Sequence, residues 1–156
     1  INKLSSHGRI YISSEVPIEP EFEKYHLRVN TSYIHHVMYY SEMLICDSQS
    51  MAVEAAMLGV PSIRFNDFAG RIGVLEELEH VYGLTYGIKT SKPELLIKKI
   101  DELHSNANIK SIFRERQSKM LLDKIDITAY FVWLIENYPE SIKIINENPG
   151  YQNRFK

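Results

Sequence analysis

Cys46-Asp47-Ser48-Gln49-Ser50-Met51-Ala52-Val53-Glu54-Ala55-Ala56-Met57-Leu58-Gly59-Val60-Pro61 is the stretch whose reading decides the fold. Just before and into it, Met43-Leu44-Ile45-Cys46 is a continuous apolar run, the pattern of a strand buried on both faces beneath helices. Asp47 to Ser50 is small and polar, the composition of a turn that opens a helix. Met51 to Leu58 has helical character, and Gly59 with Pro61 closes it in the usual way. Strand, turn, helix and stop within sixteen residues predict one half of a βαβ unit.

The same rhythm extends in both directions. Upstream, Arg9–Ser13 reads as a first strand and His26–Val29 as a second, separated by the Pro17/Pro20 loop and a short helix at 21–25. Residues 33–40 have the apolar spacing of a helix, with Ile34, Val37 and Met38 on one face. Downstream, Ser62–Phe65 and Leu84–Ile88 read as strands, and 74–81 as a helix with Val74, Leu75, Leu78 and Val81 inward. Ser91 is the expected cap of a helix with Pro93 in its first turn, running to about His104. Helices follow at roughly 107–122 and 126–137, and then a polar tail. The expected fold is α/β: a three-layer Rossmann-like domain whose mostly parallel sheet has about five strands flanked by helices. Residues 1–156 read as one domain, with 126–156 as its terminal helix and tail.

Composition narrows the function classes. The chain has 156 residues, 44% hydrophobic and 24% charged, with a net charge of −2. Its Lys and Arg are scattered and form no basic stripe, which argues against nucleic acid as a partner. The apolar runs are too short for a membrane span, and no signal peptide is visible, so the cytoplasm is the expected location. A single cysteine, Cys46, excludes an internal disulfide and a cysteine metal cluster, and no metal site is expected.

The turn at 47–50 carries the chemistry. In parallel α/β sheets ligands sit beyond the carboxyl ends of strands, where helix N-termini present unpaired N–H groups and a partial positive charge. Ser48 and Ser50 let a phosphate approach and add hydroxyl donors, although Ser48 as a plain N-cap needs no ligand. Glu54 is the only charge between Asp47 and Arg64 on an otherwise apolar helix; it lies either on a solvent stripe or along a cleft. A carboxylate there suits the paired hydroxyls of a ribose.

Asp-Ser-x-x-x-x-x-Glu-Ala-x-x-x-Gly-x-Pro at 47–61 resembles the nucleotide-diphosphate signature in the C-terminal domain of GT-B glycosyltransferases and of the non-hydrolysing UDP-N-acetylglucosamine 2-epimerases. The resemblance implies that Ser48, Gln49 and Ser50 hold the diphosphate and Glu54 the ribose. Gln49 and Ser50 stand where the epimerases carry paired glycines. Across residues 8–90 the chain is similar to a prokaryotic family of unknown function described as glycosyltransferase-like. The matching segments are Gly8–Glu15, Ile34–His36, Asp47–Met51, Arg64–Arg71 and Leu78–Leu84. That resemblance implies a GT-B C-terminal-domain fold, a nucleotide-sugar substrate (UDP-linked in the first instance), no separate cofactor, and a missing N-terminal domain as partner. The start at Ile1 without Met fits such a half.

Further candidates surround the turn. Arg64 at a strand end and Arg71 in the following loop suit a phosphate or sugar carboxylate, with surface pairing as the alternative. Asn66 and Asp67 contact a sugar if their loop closes. His35 or His36, about 100° apart on a helix, offers one side chain to the site at most. Tyr11, Tyr39, Tyr40 and Tyr82 are candidates for stacking on a base. Glu76, Glu77 and Glu79 read as a solvated acidic face without a histidine at metal spacing. Phe131-Val132-Trp133-Leu134-Ile135 is too apolar to be exposed and reads as docking the last helix on the body or on a missing domain; a homo-oligomer also stands among the expected partners. The sequence shows no catalytic base. Three functions stand: a nucleotide-sugar domain of a glycosyltransferase, or else of an epimerase or hydrolase; a signalling receiver with Asp47 as phosphoacceptor; and a non-catalytic assembly domain. Ser13-Ser14 in place of an acidic pair counts against the receiver.

Overall fold

The computed structural model describes residues 1–156, and it contains a three-stranded parallel sheet. The strands β1 (Leu44–Cys46), β2 (Ser62–Phe65) and β3 (Thr85–Ile88) lie in the order β1-β2-β3. The helices are α1 (Ile34–Tyr40), α2 (Gln49–Met57), α3 (Gly73–His80), α4 (Pro93–His104), α5 (Ile109–Asp123), α6 (Ile127–Glu136) and α7 (Glu140–Glu147). No helix is long and apolar enough to cross a membrane.

Two expected strands do not join the sheet. The runs at 9–13 and 26–29 meet each other in one parallel bridge, Ile12 with His26, held by Ile12 N–H to Tyr25 C=O and Leu27 N–H to Ile12 C=O. Between them the chain forms only a 3₁₀ turn, Glu23–Tyr25. A single turn offers too little apolar surface to cover another parallel pair, which is buried on both faces where it occurs. About five strands therefore become three.

The register sorts the sheet into two faces, because side chains alternate along a strand. Leu44, Cys46, Ser62, Arg64, Thr85 and Gly87 share one face; Ile45, Ile63, Phe65, Tyr86 and Ile88 share the other. The first face is covered by α2 and α3. Small residues let α2 lie close: Ala52, Ala55 and Ala56 are fully buried, and beneath them Ser62 Oγ donates to Thr85 Oγ1 at 2.9 Å. The second face is covered by α4, with Ile100 and Leu103 buried against Ile63 and Ile88, and by Leu4 of the N-terminal turn. Lys3 and His7 anchor that turn to Asp101 of α4. This cover stops short of the β1 edge, so Ile45 is 38% exposed instead of buried on both sides.

Helix α5 runs across the amino edge of the sheet. Gln117 donates to the Met57 carbonyl at the end of α2, and Arg116 to the Gly83 carbonyl just past α3, so α5 satisfies carbonyls that a helix end leaves open. Gly59 (φ 68°) and Gly83 (φ 63°) adopt the left-handed turn that ends each helix, and both pack on α5.

Three helical details differ from expectation. Val74 and Val81 of the α3 region are exposed, whereas Leu75, Leu78 and Tyr82 are buried. The helix is thus turned by roughly 60° from the predicted face, which carries Glu79 inward. Lys92, not Ser91, occupies the N-cap position of α4, without a side-chain cap. The tail is not irregular: α7 and a 3₁₀ segment, Pro149–Phe155, fold back on α6. Trp133 stacks on Tyr151 with centroids 4.8 Å apart, and Tyr130 meets Phe155 edge-on at 5.6 Å. Phe131, Val132 and Ile135 are exposed and do not dock on the body of this chain, because the aromatic cluster uses the opposite side of α6; they are open to a further domain.

Candidate functional site

The carboxyl edge of the sheet is formed by the turn after β1, the loop 66–72 after β2 and the segment 89–92 after β3. Ser48 (φ −76°, ψ 131°) is the N-cap of α2, its Oγ accepting from Met51 N–H at 3.4 Å. Ser50 Oγ lies 3.2 Å from Ser48 Oγ, and Cys46 Sγ donates to the Ser48 carbonyl at 3.2 Å. Gln49 is half-buried at the first helical position. The N–H groups of Gln49 and Ser50 belong to the first turn, which has no intrahelical acceptors. One and a half turns further on, Glu54 is half-buried and pairs with His35 Nε2 of α1 at 3.0 Å. The sequence candidates Ser48, Ser50, Glu54 and His35 thus line the start and one side of α2. His36 turns away and meets Tyr33.

The other candidates have different employment. Asn66 is buried; its Nδ2 donates to the Asp47 carbonyl at 2.7 Å and its Oδ1 accepts from Phe68 N–H. It joins the loops after β1 and β2 and is not free to meet a sugar. Asp67 accepts from Thr90 N–H and Oγ1, and that hydroxyl holds its carboxyl below the ordinary range. Arg71 of the same loop is exposed and forms no ion pair. Tyr82 is buried and unavailable for stacking; Tyr11, Tyr39 and Tyr40 are exposed.

Arg64 departs furthest from expectation. It is not on the surface: its side chain is fully buried, and Nη2 donates to Glu79 Oε2 at 2.8 Å. Glu79, 19% exposed, also accepts Gly87 N–H at 2.9 Å. Gly87 leaves room there, since a Cβ would stand 2.9 Å from Arg64 Nη2 and 3.0 Å from Ala69 Cβ and one of them would have to shift. Glu79, expected on a solvated acidic face with Glu76 and Glu77, is instead turned inward onto Arg64.

Glu76, Glu79 and His80 bring ligand atoms within 4.8 Å of one another, and Glu76 and His80 do lie at a metal-like spacing of four. The Arg64 guanidinium on Glu79 opposes a cation at that place, and Glu76 Oε1 already accepts Gly70 N–H. The cluster is an ion-pair network.

Cys46 has no nucleophilic role at neutral pH. Burial, with the Asp47 charge, pushes its thiol up to about 11. Folded protein at pH 8 is therefore expected to resist a thiol-specific disulfide reagent, and urea-unfolded protein to react fully; rapid labelling of the folded chain would contradict this. The raised value also means that the protonated thiol favours the folded state, an advantage lost as pH climbs from about 9 towards about 11.

The strand order runs in one direction, so no reversal of order lies within the sheet. Ligand crevices of open α/β sheets form where the order reverses. The α2 N-terminus sits at β1, an edge strand, where such a reversal would be completed by a further strand. No protein-family model, curated protein or solved structure matches the chain.

Proposed function

We propose that this domain binds a nucleotide-sugar, with the diphosphate on the first turn of α2 at Ser48, Gln49 and Ser50 and the ribose hydroxyls on Glu54. The observation that carries the reading is the α2 geometry. A serine-capped helix start at a strand end has a half-buried carboxylate further along the same helix, steadied by His35. One carboxylate oxygen faces His35, leaving the other for a hydroxyl. Arg71 adds a free cation at the rim.

The reaction proposed for the complete active unit is glycosyl transfer, with epimerisation or hydrolysis of a UDP-sugar as the neighbouring chemistry. Each needs an acid–base group facing the sugar, and a GT-B type partner domain is the proposed source. This chain by itself is expected to bind without turnover.

Titration with UDP, followed by thermal unfolding, tests the reading. Saturation at a hundredfold excess over Kd stabilises a protein by about 2.7 kcal/mol, which is readily seen as a rise in Tm. Glu54→Ala is expected to weaken binding by about ten- to a hundredfold, the value of a hydrogen bond to a charged group. Its direct cost to stability stays below about 1 kcal/mol because water reaches both side chains of the His35–Glu54 pair. Indifference to every nucleoside diphosphate would favour the assembly-domain reading, for which the exposed Phe131, Val132 and Ile135 offer a surface.

A further inference from the structure

A guanidinium has five N–H donors in a rigid fork and no acceptor. In Arg64, one arm is used on Glu79, while Nε and Nη1 are buried and have no acceptor among the groups around them. Buried donors in folded proteins nearly always find partners, and those of a charged group are the costliest to leave alone. Two such donors on one side chain mark a place that an acceptor reaches.

That place adjoins the start of α2. Arg64 stands in register with Cys46 on one side and Gly87 on the other. Neighbouring strands lie about 4.8 Å apart, so Arg64 is one strand removed from the turn where Cys46 bonds the Ser48 carbonyl. Its roof is the loop 66–72. The Cβ position at Gly87 that meets Arg64 Nη2 at 2.9 Å meets Ala69 Cβ at 3.0 Å. The loop is pinned at its ends by Asn66 on Asp47, Asp67 on Thr90 and Gly70 N–H on Glu76. Between these pins Phe68 is exposed, and so is Arg71 just beyond them. Reaching the guanidinium from the carboxyl edge requires Ala69 and its loop neighbours to shift, while β2 and β3 keep their register.

We propose that Arg64 is a second anion contact of this site: Nε and Nη1 take one phosphate of a diphosphate whose other phosphate sits on the α2 N-terminus. The proposal rests on the nucleotide reading and sharpens it, because it requires two linked anionic groups. A nucleoside or a nucleoside monophosphate fills only half of the arrangement. Glu79 holds the fork ready and keeps its charge compensated while the site is empty.

Inorganic pyrophosphate and UDP are titrated into the full chain and two variants, with circular dichroism reporting the fold. In Arg64→Met/Glu79→Leu both charges leave together, and binding of each probe is expected to fall about tenfold or more. In Glu79→Gln the guanidinium loses its compensating charge, and pyrophosphate is expected to bind several-fold more tightly. Unchanged affinity in the folded double variant overturns the Arg64 contact and leaves the nucleotide reading standing. Arg64-dependent binding of pyrophosphate with no preference for UDP does the reverse. Should the double variant not fold, unchanged pyrophosphate affinity in Glu79→Gln overturns the contact, and no binding of either probe to the parent chain overturns both.

Discussion

Glu79→Leu is expected to lower the free energy of unfolding by about 3–5 kcal/mol, the cost of stranding a buried charge by removing its partner. The fully buried Arg64 has no other counter-charge within an ion-pair distance, and Gly87 N–H loses its acceptor in the same step. Total stabilities lie in the range of about 5–15 kcal/mol, so this one change takes a large share. Urea unfolding of four chains separates pair from partner: the parent, Glu79→Leu, Arg64→Met, and both together. The double change is expected to recover most of the loss, since apolar replacement of a buried pair is often neutral. Glu77→Leu on the same helix serves as control. Its pair with Lys124 is exposed and is worth at most about 1 kcal/mol. Equal losses for Glu77 and Glu79 would contradict the burial difference.

Phe113→Ala is expected to cost a similar amount, about 3–5 kcal/mol. The ring is fully buried in the main core and meets Tyr86 of β3 edge-on with centroids 6.4 Å apart. It is also the inner anchor of α5, whose Arg116 and Gln117 hold the ends of α3 and α2. The cavity cannot close without pulling α5 away from Gly59 and Gly83, both of which it contacts tightly. Hydrogen exchange should therefore speed up in α5 and in the last turns of α2 and α3 more than in β1. Uniform acceleration would argue that α5 is no separate strut.

The legible part of this protein is local. A strand ending at Cys46, a serine cap at 48, and a helix stopped by Gly59 all follow from nearest-neighbour chemistry, and each is found in place. The parallel arrangement follows as well, because single helices between strands force crossovers. The runs at 9–13 and 26–29 misled because a β-branched stretch shows only that a strand is possible. Membership of a sheet depends on whether helices are present to bury it. Phe131 to Ile135 was legible in part: an apolar helix demands cover, and within this chain Tyr151 and Phe155 supply it on one side alone.

The site divides along the same line. By itself the sequence determined the strand–turn–helix at 46–59, with Ser48 at its cap and Glu54 spaced along one helix, because those relations are set by the geometry of a single element. Tertiary structure alone decided what His35, Arg64, Asn66 and Glu79 do. Each of them meets a partner 15 or 19 positions away on another element or loop. Such partnerships depend on how a helix is turned on the sheet. A rotation of roughly 60° in α3, too small to register in the spacing of its apolar residues, moves Glu79 from solvent onto a buried arginine.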